Sequence, residues 1–376
     1  MRKMLLHRIM RKIGRSGVFY RIARPFCSFS VDISTASARE SERRLSALHP
    51  DNGSSSICCN SIEEPYPYDL QIVVPAYNVE QYIVECIDSV LSQKTNYSFV
   101  VTVVNDGSTD RTPELLQRYA ECQNVIVFNQ ENRGFSGARN AALEKILGKY
   151  ITFLDSDDRL SSGAIEALMH RAEETQADIV EGGYCRFAND RTVSVYKHEA
   201  QVTTRWGVLY GFPVGKVFRS SMFAKVHFPQ RYWFEDTVCI YMLYPQSNLV
   251  ATIKEVVYEY RINENGITYS SKGDIRLLDA LWVTRKMLRD AEKFGVSFDS
   301  QLYTMFLKDV CTNYTRFITL KNDTLHRDAF IVTCALMRQF FDGCYTQDTS
   351  LKPLEKALSE GDYGNYLLYG RCYMCE

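Results

Sequence analysis

Three carboxylates are crowded into the four residues Asp155-Ser156-Asp157-Asp158. They directly follow the apolar run 150–154, which predicts a buried strand. In open α/β sheets, ligands bind just outside the carboxyl ends of the strands. Because clustered carboxylates repel one another unless a cation lies between them, the segment favours a hard divalent ion such as Mg²⁺ or Mn²⁺. Such ions take one or two carboxylates plus the phosphates of a substrate, so the residues predict an enzyme that binds a metal–diphosphate.

Two further polar loops follow predicted strands. Residues 75–80, which begin with Pro75, come after the first strand, and residues 105–108 come after the second. Tyr77 could stack on a base, Glu80 could accept hydrogen bonds from a ribose, and Asp106 could accept one from the ring N–H of uracil. Each loop alone is more typical of a turn or a packing contact than of a binding site. Their occurrence at successive strand ends is what indicates one nucleotide site.

Predicted strands and helices that alternate along the chain must position these loops. Runs typical of strands cover residues 70–74, 99–104, 125–128 and 150–154, and helical spacing covers residues 83–91, 112–119 and 136–146. Strands that alternate with helices of this length predict a parallel, doubly wound sheet.

The periodicity weakens beyond Asp158. A helix is expected over 165–172, and strands are expected near 179–180, 193–196, 250–253 and 256–260. From about Asp274 the apolar residues return at helical spacing, which predicts a helical C-terminal subdomain. We therefore expect a basic leader and linker over 1–68, an α/β catalytic domain over 69–272 and a helical subdomain over 273–376.

The first thirty residues differ in charge from the rest of the chain. They contain eight Lys or Arg side chains and no acid, whereas the whole chain of 376 residues has a net charge of −1. On a helical wheel of residues 1–15, an apolar side adjoins a basic face, which is typical of a short helix on an anionic membrane surface. A disordered basic leader fits the composition equally well. Peripheral membrane contact through residues 1–24 is therefore one of two expectations.

Composition bounds the class of protein further. Arginines interrupt every apolar run near the N-terminus, which argues against a secretory signal, and no run of eighteen apolar residues predicts a spanning helix. The twelve scattered cysteines are interpreted as reduced thiols in a cytoplasmic protein, and the CxxC spacing of Cys372 and Cys375 as a frayed tail. Outside the leader the chain is acidic, which argues against binding to nucleic acid.

Four segments together resemble the nucleotide-binding half of the family 2 glycosyltransferases. They are IVVPAYNVEQYIVECIDSVLSQ, VVNDGSTDRTPELL, NRGFSGARNAAL and YITFLDSDD, in this order between about Leu70 and Leu160. The resemblance implies the GT-A fold, a doubly wound mixed sheet flanked by helices. It also implies an inverting transfer of sugar from a nucleotide diphosphate sugar, usually UDP-linked, with Mn²⁺ or Mg²⁺.

The resemblance assigns roles to the residues of the three loops. Tyr77, Glu80 and Asp106 would contact the nucleoside, with Pro75 in the first of these loops. Asp155 and Asp157 would form the DxD pair around Ser156, with Asp157 as the direct metal ligand. Arg133 and Arg139 flank a glycine-bearing helix start, and guanidinium groups beside a helix N-terminus suit a diphosphate. Arg139 could instead be a surface charge.

The acceptor side is represented by Trp233-Phe234-Glu235-Asp236-Thr237, which resembles the family's "ED" motif. The second acid of that motif is the catalytic base, so Asp236 is the candidate, with Glu235 as a neighbour in the acceptor site or the structure. Asp236 could also cap the helix after it, since Asp is a favoured cap residue. Residues 216–223 resemble the segment before this motif, and residues 260–268 resemble a loop that closes over the donor.

The resemblance therefore implies a glycosyltransferase that uses a UDP-hexose or UDP-N-acetylhexosamine and a glycan or lipid-linked glycan acceptor. Two alternatives stay open: a nucleotidyltransferase that makes nucleotide sugars, and a non-catalytic nucleotide-sugar-binding component of a polysaccharide assembly complex. The location expected is cytoplasmic, with the membrane's inner face as the place of any peripheral contact. The sugar, linkage, acceptor and oligomeric state are not determined by the sequence.

Overall fold

The structure is a computed structural model that describes residues 17–60, 62–263, 266 and 270–374. Two units are formed by this part of the chain. The sheet unit comprises residues 53–263, 266 and 289–296, and the helical unit comprises residues 17–52, 270–288 and 297–374. The expected helix over residues 1–15 lies outside the described residues, as do Cys375 and part of the segment 260–268. The domain limits expected from the sequence stay a prediction.

One mixed sheet organises the sheet unit. Its ten strands, within the described residues, are β1 (Tyr68–Ala76), β2 (Phe99–Asp106), β3 (Val125–Gln130), β4 (Gly148–Phe153), β5 (Arg159–Leu160), β6 (Ile179–Ala188), β7 (Arg191–Tyr196), β8 (Gln201–Thr203), β9 (Lys216–Arg219) and β10 (Val250–Arg261). The order is β3-β2-β1-β4-β9-β6-β10-β5, while β7 pairs with β6 and β8 pairs with β10. The predicted α/β fold class is confirmed.

The first half of the sheet is parallel and buried. β1 pairs in parallel with both β2 and β4, and β2 pairs in parallel with β3. All eight residues of β2 are buried, as are seven of the nine in β1, which is why these strands are continuous apolar runs in the sequence. Since parallel strands end at the same edge, the loops after β1, β2 and β4 are brought together.

The second half of the sheet contains antiparallel pairs. β9 is inserted between β4 and β6 and runs antiparallel to both. The two strands expected over 250–253 and 256–260 are one strand, β10, whose pairing with β6 shifts register between Thr252 and Val256. The prediction of two strands was wrong because Lys254 and Glu255 interrupt the apolar run at this irregularity without ending the strand.

Helices flank the sheet and form the C-terminal part of the chain. In chain order the α-helices are α1 (Gly17–Cys27), α2 (Thr35–Leu48), α3 (Ile83–Leu91), α4 (Thr112–Leu116), α5 (Gly134–Leu143), α6 (Ala164–Thr175), α7 (Asp279–Phe294), α8 (Ser300–Phe317), α9 (Asp323–Phe340), α10 (Lys352–Glu360) and α11 (Tyr363–Tyr369). The predicted C-terminal helices are confirmed. No helix in the described ranges combines the length and the apolar character that crossing a bilayer requires.

Part of the segment interpreted as a linker is helical. Ser34 caps α2 by accepting a hydrogen bond from the backbone N–H of Ser37. In α2, Ser41 donates to Asp328 Oδ1 at 2.9 Å, and Arg44 pairs with the same carboxylate, which lies in α9. The linker interpretation fails here because α2 is polar and buries mainly small side chains, so its contact with α9 rests on polar groups that composition alone cannot distinguish from a solvated segment.

Candidate active site

The loops after β1 and β2 are joined by hydrogen bonds. The backbone N–H of Asn78 donates to Ser108 Oγ at 3.1 Å, and the backbone N–H of Arg111 donates to Glu80 Oε2 at 2.9 Å. Asn78 adopts a φ of 51°, a left-handed conformation that asparagine tolerates better than most residues. Tyr77 is 49% exposed beside this junction. An exposed ring and a fixed carboxylate therefore lie at the end of β1, where the sequence predicted contacts to a nucleoside.

Asp106 ends β2 with its side chain almost entirely buried. Oδ1 accepts hydrogen bonds from Gln130 Nε2 at 2.6 Å and from the backbone N–H of Arg133 at 2.8 Å. Oδ2 is buried and has no hydrogen-bond partner among the described residues. A buried acceptor without a donor is unfavourable, so this oxygen is suited to receive an N–H from a ligand.

Arg139 connects the end of β4 with the acceptor-side segment. Its side chain lies in α5 and is buried, Nη2 donates to Asp155 Oδ1 at 2.6 Å, and Nη1 contacts Glu235 Oε1. Burial lowers the pKa of the guanidinium, but the charges of Asp155 and Glu235 outweigh that effect and raise the pKa above its ordinary value. Arg139 is therefore a buried cation held between two acids, and the alternative of a surface charge is excluded.

The remaining acids of the β4 loop have different surroundings. Asp158 is buried, and its Oδ2 accepts from the hydroxyl of Tyr258 at 2.6 Å while its Oδ1 accepts from the backbone N–H of Arg261 at 2.7 Å. Asp157 is half-buried, and its Oδ2 accepts from Asn263 Nδ2 at 3.1 Å. Asp158 thus fastens the loop to β10, whereas Asp157 keeps accessible surface. Ser156 is buried between Asp155 and Asp157.

The pKa values of Asp157 and Asp158 are raised by burial first and by the neighbouring acids second. Burial is the main cause for Asp157, and the charge of Asp155 adds to it while the amide of Asn263 opposes it. For Asp158 burial again comes first, followed by the charges of Asp157 and Asp155. Carboxylates that are hard to ionise together gain most from a cation placed between them.

These residues fit a divalent ion that is held partly by a substrate. In the described part of the chain, no cluster of three or more His, Cys, Asp or Glu side chains could hold a metal by itself. Asp155 already pairs with Arg139, which leaves Asp157 as the carboxylate best placed to bind an ion directly. One or two carboxylates plus phosphate oxygens is a usual set of ligands for Mg²⁺.

A layer of charged and aromatic side chains behind Asp157 was missed by sequence reasoning. Arg261 Nε donates to the backbone carbonyl of Asp157 at 2.7 Å, and its Nη2 donates to Glu85 Oε2 at 2.5 Å. The same guanidinium lies 4.5 Å from the ring centroid of Phe187 and 5.0 Å from that of Tyr82. The signal in the sequence was Arg261 itself, inside the segment 260–268 that resembles a donor-side loop, but its partner Glu85 is 176 positions away.

Asp236 lies in a strained turn. It is half-buried and follows Phe234, whose φ of 65° is unusual for a bulky residue, and a π-helix, Cys239–Leu243, comes shortly after it. Glu235 beside it is buried against Arg139, and burial raises the pKa of Glu235, opposed by Arg139 and reinforced by Asp236. Such strain persists where surrounding contacts fix it and is common at functional sites. The predicted base is therefore adjacent in sequence to a residue anchored beneath the β4 loop.

Arg133 and Pro75 complete the predicted set. Arg133 is exposed at the start of α5, and its backbone N–H is engaged by Asp106. Pro75 lies within β1, where it pairs with Val104 of β2. The structure therefore brings residues 75–80, Asp106, Arg133, Arg139 and the β4 loop to one edge of the sheet, and Arg139 links that edge to Glu235. The individual roles of these residues stay predictions.

Comparison with a solved structure shows which fold this chain shares. S. aureus TarS, residues 1–349, solved in complex with UDP-GlcNAc, superposes with a TM-score of 0.62 and 22% identity. The match covers 79% of this chain and 89% of that one. At this identity the likeness shows a shared fold, which is the mixed α/β fold of GT-A enzymes.

Sequence comparison then gives the family. Residues 71–226 match the sequence model of the Glycosyl transferase family 2, so the chain contains a family 2 glycosyltransferase domain. The resemblance to this family is confirmed for that part of the chain.

Two curated relatives show the extent of the likeness. The glycosyltransferase GlyA of Streptococcus pneumoniae is 30% identical over 56% of this chain. The minor teichoic acid biosynthesis protein GgaB of Bacillus subtilis is 27% identical over 54%. The alignments span 33% of GlyA and 24% of GgaB, so the chain spans about a third or less of these two relatives.

Proposed function

We propose that the chain transfers a hexose or N-acetylhexosamine from a UDP-sugar to a glycan or lipid-linked glycan, with inversion at the anomeric carbon. The observation that carries the proposal is the linkage through Arg139, which joins Asp155 of the predicted donor site to Glu235, the neighbour of the predicted base. The UDP-GlcNAc complex of TarS supports the choice of donor, and the teichoic acid assignment of GgaB supports a polysaccharide acceptor.

The donor is bound along the carboxyl ends of β1, β2 and β4. Tyr77 stacks on the base, the unpartnered Oδ2 of Asp106 accepts the ring N–H, and Glu80 accepts from the ribose. The exposed guanidinium of Arg133 contacts the diphosphate. Arg139 acts differently from the sequence expectation, because its guanidinium is occupied by two carboxylates and so positions them.

The transfer itself needs a base and a stabilised leaving group. Asp236 accepts the proton of the acceptor hydroxyl while that oxygen bonds to the anomeric carbon, the bond from this carbon to the diphosphate breaks, and UDP leaves. Attack opposite to the departing diphosphate gives inversion. A divalent ion bound through Asp157, Mn²⁺ or Mg²⁺, would stabilise the charge on the departing diphosphate.

Binding and turnover test the proposal separately. Thermal-shift titrations with UDP, GDP, CDP, UTP and NAD, each with and without Mn²⁺, should show metal-dependent stabilisation by UDP above the others. Asp157→Asn should remove the metal-dependent part. Asp236→Asn should leave UDP binding intact and reduce turnover of the preferred UDP-sugar by about 10²–10⁴-fold, the usual contribution of a general base.

The matched control is Asp323→Asn, which changes an exposed aspartate in the helical unit. It should alter neither binding nor turnover. Folded Asp157→Asn and Asp236→Asn variants that transfer sugar as well as the unmutated chain would contradict the proposal. Pyrophosphate release from UTP would support a nucleotidyltransferase instead, and UDP binding without turnover across a broad acceptor panel would support a non-catalytic component.

A further inference from the structure

Helix α1 and the residues after it present large apolar side chains to solvent. Ile22 is 65% exposed, Phe26 is 87% exposed and Phe29 is 53% exposed. Ile22 and Phe26 are four residues apart in the helix and therefore lie on the same face. We call these three residues the apolar patch. Single exposed apolar residues are ordinary, but several grouped together indicate an interaction surface.

The patch belongs to a segment that is fixed in the helical unit. Tyr20 in α1 is 4% exposed, and its ring packs edge-on against the rings of Tyr369 and Tyr373. After the helix, Ser28 Oγ donates to Asp362 Oδ2 at 2.6 Å. One side of α1 is thus buried against the helical unit. Ile22 and Phe26 are therefore exposed on a helix that is packed in place.

Two basic side chains belong to the same helix as Ile22 and Phe26 of the patch. Arg21 and Arg24 belong to α1, and the first acid in the sequence is Asp32. Arg24 also lines a cavity of about 630 Å³ together with three other cations and two carboxylates, which are Arg338, Lys352, Lys356, Asp342 and Glu355. An exposed apolar group with basic neighbours is the combination that binds the boundary between headgroups and acyl chains.

We infer that the apolar patch docks on a bilayer rich in anionic lipid. Ile22, Phe26 and Phe29 insert at the boundary of the acyl chains, and Arg21 and Arg24 contact lipid phosphates. Charge decides between this partner and a second copy of the chain, because self-association through this face would bring two sets of basic side chains together. The inference does not depend on the proposed transferase reaction.

Vesicle flotation of the full chain tests the docking. It should partition onto phosphatidylglycerol vesicles and much less onto phosphatidylcholine vesicles. Phe26→Ser should weaken partition by roughly tenfold, since it removes an aromatic side chain that would be withdrawn from water. Arg21→Gln should weaken partition by roughly fivefold, the usual effect of one basic residue near an anionic surface.

The matched control is Val193→Ser, at a 60% exposed apolar position of β7 in the sheet unit. It should leave partition unchanged. A Phe26→Trp variant should show, relative to the unmutated chain, an added emission that is blue-shifted on anionic vesicles and quenched by brominated lipid chains. This signal reports insertion and not only charge attraction.

Three outcomes of the vesicle experiments would overturn the inference. They are no partition of the unmutated chain, equal losses for Phe26→Ser and Val193→Ser, and no lipid quenching of the emission added by Phe26→Trp despite binding. Lipid-free dimerisation that Phe26→Ser abolishes would identify a second copy as the partner and would also reject it. UDP-dependent thermal stabilisation should be the same in Phe26→Ser as in the unmutated chain, so a failure here is distinguishable from a failure of the proposed function.

Discussion

The residue that connects the parts of the candidate site is Arg139. It is buried, it retains its charge, and it contacts one carboxylate from the β4 loop and one from the acceptor-side turn. A buried ion pair adds little stability over an apolar substitute, but removal of one partner leaves charge buried without compensation. The charge of Arg139 therefore allows Asp155 and Glu235 to lie near each other in the folded protein.

Arg139→Met should accordingly destabilise the sheet unit by about 3–5 kcal/mol, because it leaves the buried acid Glu235 without its cation. Arg139→Lys should have a smaller effect, since it keeps the charge but not the forked geometry that reaches both carboxylates. Urea unfolding measures both changes. Arg111→Met serves as the control, because Arg111 pairs with Glu114 on the exposed surface, and it should leave the midpoint unchanged. Equal midpoints for Arg139→Met and the unmutated chain would show that Arg139 is not needed to hold the two acids together.

At the scale of elements, the ends of parallel strands decide where the site lies. The turn after β2 shows how tightly this edge is built. Gly107 has a φ of 71°, and a Cβ added there would lie 2.9 Å from the backbone nitrogen of Asn132, in the loop that follows β3. Two neighbouring strand ends are thus in backbone contact beside Asp106.

Gly107→Ala should therefore lower the free energy of unfolding by more than the positive φ of Gly107 alone would cause. Gly163 is the matched control, since it has a φ of 77° and no atom within 4 Å of an added Cβ. In Gly163→Ala, the left-handed conformation should lower the free energy of unfolding by about 1–2 kcal/mol. Gly107→Ala should lower it clearly more and should also weaken UDP binding. Denaturant unfolding and calorimetric titration with UDP measure the two effects. If the two variants lose the same stability and bind UDP equally, the close approach at Gly107 has no consequence for the site.

At the scale of the whole molecule, charged and titratable side chains are unevenly distributed. The basic residues of the first thirty positions oppose an acidic remainder. In the helical unit, His326 of α9 is 7% exposed, and its Nε2 is buried with no hydrogen-bond partner among the described residues. Burial lowers the pKa of His326 below 6.5.

The stability of the helical unit should therefore fall as the pH falls below about 6.5. A lowered folded-state pKa means that the unfolded state binds more protons between the two pKa values, so acid favours unfolding, with a limiting slope of about 1.4 kcal/mol per pH unit for one group. His326→Gln should remove this part of the slope. Urea unfolding at pH 7.5, 6.5 and 5.5, followed by circular dichroism, gives the comparison. Parallel pH dependences for the two proteins would show that His326 does not titrate with folding.

The sequence by itself determined the features that depend on local pattern. The strands that became β1, β2 and β4 are apolar runs followed by polar loops, and because they are buried on both faces their positions are visible without a structure. The acids at their ends could be named for the same reason, since an acid directly after a buried strand lies at the sheet edge.

Only the tertiary structure decided which distant side chains meet. Arg139 and Glu235 are 96 positions apart, Asp158 and Tyr258 are 100 apart, and Arg261 and Glu85 are 176 apart. These contacts follow from the insertion of β9 between β4 and β6 and from the place of β10 beside β5 and β6, which no local periodicity encodes. The polar helix α2 could not be predicted from the sequence for a related reason. It is stabilised by its contacts with α9, and its composition alone does not indicate a folded element.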